Sequence, residues 1–173
     1  NPRAGVRRNK VILDAVETGL DHEQYTYSIQ YTQYAKHGID LAAAAAKSGA
    51  YAVIAVGGDG SVNDVINGLQ GSGTALAIIP LGSGNGMART LKLPRNIHQA
   101  IAVINRNHTA MMDIGLADGR LFVSNAGVGF EALISDKFTH SRRRGLIVYA
   151  WLTIKHLWQY KPLEWRIEID GKK

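Results

Sequence analysis

The chain has 173 residues, 46% of them hydrophobic and 20% charged, which is the balance of a globular domain and excludes long disordered stretches. It has no cysteine, which excludes disulfides and thiolate-bound metal and is compatible with a reducing cytoplasm. Twenty Lys and Arg against 14 Asp and Glu leave a formal charge of +6, which suits nucleotide, anionic lipid or nucleic acid and selects none of them.

In chain order, Asn1-Pro2-Arg3-Ala4-Gly5 opens as a turn, since Pro2 fixes φ and Gly5 permits close approach or positive φ. Ile12, Val16 and Leu20 at fourfold spacing predict a helix over Asn9–Leu20, with Gly19 near its stop. Tyr25, Tyr27, Ile29 and Tyr31 alternate with polar neighbours and predict a strand over Gln24–Thr32, its tyrosines packing rather than stacking on bases. Thr32 ends that strand, where its hydroxyl is placed to reach a phosphate or ribose, or simply favours β structure. The alanine-rich segment His37–Ser48 reads as a helix ended by Gly49.

Two short apolar runs follow, Ala52–Val56 and Ala75–Ile79, each broken by glycines and each opening into a helical pattern. Buried parallel strands in βα units have this appearance. Parallel neighbours would deliver both turns, Gly57-Gly58-Asp59-Gly60 and Gly82-Ser83-Gly84, to one edge of the sheet. There, helix N-termini and free N–H groups bind anions. Ser61 and Asp64 fit a capping pattern ahead of Val65, Ile66 and Leu69. Asp59 would repel a bare phosphate, so its natural company is Mg²⁺ or a substrate hydroxyl; a solvated turn aspartate is the plainer alternative. Asn63 and Asn67 share a helix face, Asn63 toward the ligand and Asn67 toward a neighbouring loop. Ser83 offers a hydroxyl and Asn85 an amide near bound phosphate. No Lys-Ser/Thr P-loop occurs, so phosphate binding would rest on backbone N–H groups, hydroxyls and metal.

Ile97–Ile104 reads as a short helix. Asp118-Gly119 between Thr109–Ala117 and Arg120–Asn125 is a hairpin signal, and the change from βα alternation predicts a domain boundary near Asn107. Asp113 and Glu131 are the acids of interest here, Asp113 either facing a cleft or pairing with an arginine. Arg142–Arg144 precede a stripe of Ile147, Trp151, Ile154 and Trp158, read as core-facing, with a membrane-contact face as its alternative. The longest apolar run, Leu146–Leu152, falls far short of the roughly 20 residues that span a bilayer. Glu164–Asp170 alternates like a strand and meets a hairpin signal at Asp170-Gly171. The six histidines show no zinc-ligand spacing, and no G-x-S-x-G or S-x-x-K motif appears.

GGDGSVNDVINGL followed by IIPLGSGNGMART resembles the catalytic domain shared by diacylglycerol kinases, sphingosine and ceramide kinases and small bacterial lipid kinases. NPRAG resembles that family's first nucleotide-binding turn, and Met112–Gly115 and FVSNAGVGFEA its later blocks. The resemblance implies an α/β, doubly wound, mainly parallel nucleotide-binding domain like that of NAD kinases and phosphofructokinases. It would span 1–108, with the start of a β-rich, lipid-binding second domain over 109–173. It implies ATP and Mg²⁺ as cofactors, with Asn1–Gly5, Thr32, Gly57, Gly58, Asp59, Gly60, Ser61, Asn63, Gly82, Ser83 and Asn85 toward nucleotide. Asp59 is the catalytic candidate, steering the acceptor hydroxyl or the metal; the metal ligands stay unassigned.

One departure stands out: Gly86 follows Asn85 where diacylglycerol kinases commonly carry Asp, which weakens a diacylglycerol assignment but not a kinase one. The family's first strand and later acidic and metal sites are expected to lie outside a chain clipped at both ends, leaving these residues with poor turnover. Expected partners are ATP and a membrane-derived lipid at the cytoplasmic membrane surface, not nucleic acid, with a homodimer left open. The rival readings are a kinase of a soluble acceptor, as GGDG-bearing NAD kinases suggest, and a non-catalytic nucleotide-binding module.

Overall fold

The computed structural model describes residues 6–123, 125–141 and 145–171. Its centre is two strands, β1 (Ala52–Gly57) and β2 (Ala75–Pro80), paired in parallel with Ala52 opposite Ala75 and Gly57 opposite Pro80. Each is too short and apolar to face water, and helices cover both faces of the sheet. On one face α2 (His37–Lys47) and α3 (Asp59–Gly68) close over Val53, Ala55, Leu76 and Ile78. On the other, α1 (Val6–Gly19) and α5 (Ile97–Asn105) close over Ile54, Val56 and Ile79. Successive strand residues thus serve opposite cores, as the two-residue period of a pleated strand requires. The result is an α/β, doubly wound arrangement around a parallel sheet.

Small residues set how closely the layers approach. A Cβ on Gly68 would strike the Ile39 carbonyl and lie 2.7 Å from the Ala42 Cβ, so α2 and α3 meet nearly backbone to backbone. On the other face, Asn105 ties α5 to the end of α1. Its Nδ2 donates to the Gly19 carbonyl at 2.8 Å and its Oδ1 accepts the Asp21 N–H at 3.1 Å. The side chain of Asn96 caps α5 by accepting the N–H groups of His98 and Gln99.

Three expectations need revision. Residues 25–33 form no strand. The alternating tyrosines find no ladder partner among the described residues; Tyr25 turns onto the α1/α5 core while Tyr27, Ile29 and Tyr31 stay exposed. The helix after the first glycine turn starts at Asp59, with Gly58 in the N-cap position, so Ser61 sits inside the first turn and caps nothing. Glu164–Asp170 forms no strand beyond an isolated β-bridge at Ile169, and Trp165, Ile167 and Ile169 are exposed.

The Asp118-Gly119 hairpin joins β3 (Gly115–Ala117) to β4 (Arg120–Phe122), antiparallel. Both turn residues have positive φ, 48° and 73°, the signature of a type I′ turn. The Asn67 amide docks this hairpin on α3, donating to the Leu121 carbonyl at 3.0 Å and accepting the Leu121 N–H at 3.2 Å. Between β2 and α5 lies the short helix α4 (Gly86–Thr90).

The chain divides into two compact units, Asn1–Asn125 and Ala126–Lys173, and the hairpin belongs to the first. The second holds α6 (Phe130–His140) and α7 (Leu146–Leu157), joined through Phe138 and Tyr149 edge to face at 5.6 Å, with Ile134 and Leu152 buried. Here the core-facing expectation for the tryptophan stripe is wrong. Ile147, Trp151, Ile154 and Trp158 are 57–88% exposed, and Leu152 marks the inward side. A twelve-residue helix this apolar has two greasy sides, and spacing alone does not say which one finds a partner. Among the described residues no helix is long and apolar enough to cross a membrane.

Candidate functional site

Because β1 and β2 run parallel in register, both glycine turns emerge at the same end of the sheet. They also touch. The Leu81 N–H donates to the Gly57 carbonyl at 2.8 Å, carrying the pairing one step past the strands. A Cβ on Gly82 would lie 2.6 Å from the Gly58 Cα, and one on Gly58 would lie 3.2 Å from the Gly82 Cα. The main chains therefore pack against each other with no room for a side chain between them. Ser61 fills the space beneath Gly57, where a Cβ would collide with its side chain.

Asn85 braces the second turn. It is buried, and its backbone takes the left-handed conformation at φ 53°. Its Oδ1 accepts the Gly82 N–H at 2.9 Å while its Nδ2 donates to the Gly82 carbonyl at 2.7 Å. The amide thus folds back on its own turn. Asp59 bridges the two turns from above: exposed at the first helical position of α3, it accepts the Met87 N–H at 3.2 Å through Oδ1. Its Oδ2 lies 3.0 Å from where a Gly84 Cβ would be. Sequence reading missed Met87 as a partner because the donor is a backbone group, which no side-chain pattern marks.

The rim so formed offers the first N–H groups of α3, which have no carbonyl four residues back within the helix, together with the positive end of its dipole. Gly60 faces open space there, and Ser83 and Gly84 are exposed beside it. Asn63 is half-buried, and its carbonyl accepts from the Asn67 amide at 2.8 Å. Thr32, half-buried, lies on the approach to α2; among the described residues no hydrogen bond joins it to either glycine turn. Asn1, Pro2, Arg3, Ala4 and Gly5 lie outside the described residues, as do Arg142–Arg144. Asp113 is exposed, and the Glu131 side chain lies against Gly127 in the second unit.

Among the described residues no three His, Asp or Glu side chains converge on one point. A site for Mg²⁺ does not require such a cluster. Mg²⁺ is commonly held by one or two carboxylates plus substrate phosphate and water, and an exposed Asp59 with Oδ2 directed at glycine fits that donor set.

In the contact between α2 and α3, Asp64 of α3 packs against Gly38 of α2, where a Cβ would lie 2.9 Å from its own. Burial pushes the Asp64 carboxyl up, with the Lys36 ammonium pulling the other way.

The model of the diacylglycerol kinase catalytic domain matches residues 1–117. A diacylglycerol kinase of Staphylococcus haemolyticus (strain JCSC1435) is 33% identical over 99% of this chain and 53% of its own length. "Probable lipid kinase YegS-like" of Chromohalobacter salexigens is 31% identical over 84% of this chain and 49% of its own. The chain thus spans about half the length of the curated relatives it matches. A solved structure from Bacillus anthracis str. Sterne superposes with a TM-score of 0.61 at 30% identity, over 66% of this chain and 42% of that one. Another from the same organism, titled as a diacylglycerol kinase, gives 0.52 at 34% identity over 54% and 33%.

Proposed function

This chain belongs to the diacylglycerol kinase catalytic domain family, and from that premise we propose that it forms the nucleotide-binding part of an ATP-dependent lipid kinase. The observation that carries the reading is the joined pair of glycine turns, with the start of α3 and the Asp59 carboxylate on one rim. In the proposed reaction a lipid hydroxyl oxygen bonds to the γ-phosphorus of ATP. The bond from that phosphorus to the bridging oxygen breaks, ADP leaves, and the hydroxyl proton passes to a base. Phosphoryl transfer of this kind depends on positioning and charge neutralisation more than on covalent help from the protein.

The chain's own contribution is a cradle. Backbone N–H groups of Gly58, Gly60 and Ser61 receive phosphate oxygens, the Ser83 hydroxyl flanks them, and Thr32 contacts the nucleotide. Mg²⁺, held by Asp59 and phosphate, would neutralise charge on the transferring group. Asp59 Oδ2 is the group that would orient the acceptor hydroxyl. Residues from 109 onward would begin the lipid-binding part. The exposed Trp151 and Trp158 of α7, with Lys155 Nζ 4.8 Å from the Trp151 ring centre, would meet the membrane surface on its cytoplasmic side.

The test is calorimetric titration of MgATP into residues 1–173, followed by a radiolabelled-ATP assay against diacylglycerol, sphingoid bases, NAD and fructose 6-phosphate. The expected result is nucleotide binding, lost in the Gly58→Val, Asp59→Ala double variant, with slow or no transfer by this length of chain. Transfer confined to lipid hydroxyls is expected of the complete open reading frame. ATP affinity unchanged in the double variant would sink the site, and preferential labelling of NAD or the sugar phosphate would sink the acceptor class.

A further inference from the structure

The segment that carries Thr32 into α2 is tied back to that helix by a histidine side chain. The Gln33 N–H donates to His37 Nδ1 at 3.0 Å. A ring nitrogen that accepts must be bare, so the neutral imidazole carries its proton on Nε2. Tyr34 stacks on it at 4.2 Å and 14°, and the Tyr34 hydroxyl is itself anchored to Asp40 Oδ2 at 2.9 Å. Lys36 takes the left-handed conformation at φ 65°, which turns the chain sharply between Gln33 and the helix. The amide plane that contains the Gln33 N–H also contains the Thr32 carbonyl and Cα, because the peptide bond is planar. Fixing the one therefore fixes the other.

We infer that His37 is a positioning residue whose neutral, Nδ1-accepting form holds Thr32 in place for nucleotide, and that protonating its imidazole weakens nucleotide binding. The inference rests on the nucleotide reading proposed above. An imidazolium has N–H on both ring nitrogens, so the Gln33 N–H would then face a donor instead of a lone pair. Tyr34 stacks on the ring, and the other titratable groups at this end of α2 are Lys36 and Asp40 on its own segment and Asp64 of α3, which packs against Gly38; β1, the other element against α2, contributes none. Tyr34 stays neutral, since its hydrogen bond to Asp40 pushes the phenol up.

The experiment measures MgATP affinity and melting temperature for residues 1–173 and for His37→Asn and His37→Phe. It runs from about pH 8 to about pH 5.5, the span over which imidazoles change charge. Wild-type affinity is expected to fall about three- to tenfold on acidification, the size of one backbone hydrogen bond. His37→Asn, whose amide oxygen accepts without titrating, abolishes the excess pH dependence and reports the nucleotide's own titration. His37→Phe keeps a flat ring for Tyr34 but binds weakly at every pH while melting near wild type. The ¹⁵N shifts of the ring place the proton on Nε2 at the alkaline end, independently of any ligand. A wild-type profile that matches His37→Asn, or a proton on Nδ1, overturns the role of His37 and leaves the nucleotide site standing. Absence of ATP binding at the alkaline end overturns the site, and this role with it.

Discussion

At the scale of single residues, the rim is governed by what has no side chain. Gly58 and Gly82 meet main chain to main chain, so Gly82→Ala forces the two turns apart. The expected cost is about 1–3 kcal/mol of stability with weaker ATP binding, read by urea denaturation and by titration. Asp64 gives a prediction with a sign. Burial raises its carboxyl above the ordinary range, so the folded state favours the protonated form. That contribution is complete below the unfolded-state value and is lost as pH rises through the folded-state value. Asp64→Asn should therefore raise the melting temperature at neutral pH, with the gain shrinking toward about pH 3, where an unfolded aspartate is itself protonated. A lower melting temperature for Asp64→Asn at neutral pH, with the loss fading on acidification, would show that Lys36, not burial, dominates. The glycines and Asp59 were legible in sequence because close backbone approach and an exposed carboxylate at a βα turn are rare needs met by few residue types. Asn85 was legible only as a polar residue in the turn. That its amide folds back on Gly82 follows from a left-handed backbone, which the sequence does not print.

Among elements, the βα units were readable because each strand is uniformly apolar and each helix has one stripe. The hairpin was readable because Asp-Gly satisfies two positive φ angles at once. Its anchor is Asn67, which pairs with Leu121 as a neighbouring strand would. Asn67→Ala should leave the Leu121 amide and carbonyl without those partners, cost about 1–3 kcal/mol and speed hydrogen exchange at Leu121. Unchanged exchange would mean the hairpin is held by Leu121 and Val123 packing alone. The 24–32 segment shows where pattern fails: alternation describes a surface with two sides, but a strand also needs a neighbour's hydrogen bonds, and those are set by the fold. The α7 stripe failed differently, since period 3.6 locates an apolar side without saying what it meets.

For the molecule as a whole, two units and a family membership frame what each half would contribute. The first binds and orients nucleotide in the proposed scheme, and the second presents an apolar, basic-flanked helix. If that helix meets lipid, Trp151 and Trp158 fluorescence should shift to the blue on adding vesicles rich in phosphatidylglycerol. The shift should shrink with added salt and be absent in Trp151→Ser, Trp158→Ser. An equal response to neutral phosphatidylcholine vesicles would assign it to exposed apolar surface rather than to a charged interface.

The main-chain joint between Gly58 and Gly82 has a consequence for how such a molecule can be tuned. A contact made wholly of backbone has no dial: neither partner can be trimmed, and neither can be enlarged without prying the pair open. In the proposed scheme variation in grip would come from the periphery, with the strap running from Thr32 through His37 as the adjustable buckle on an otherwise welded clasp.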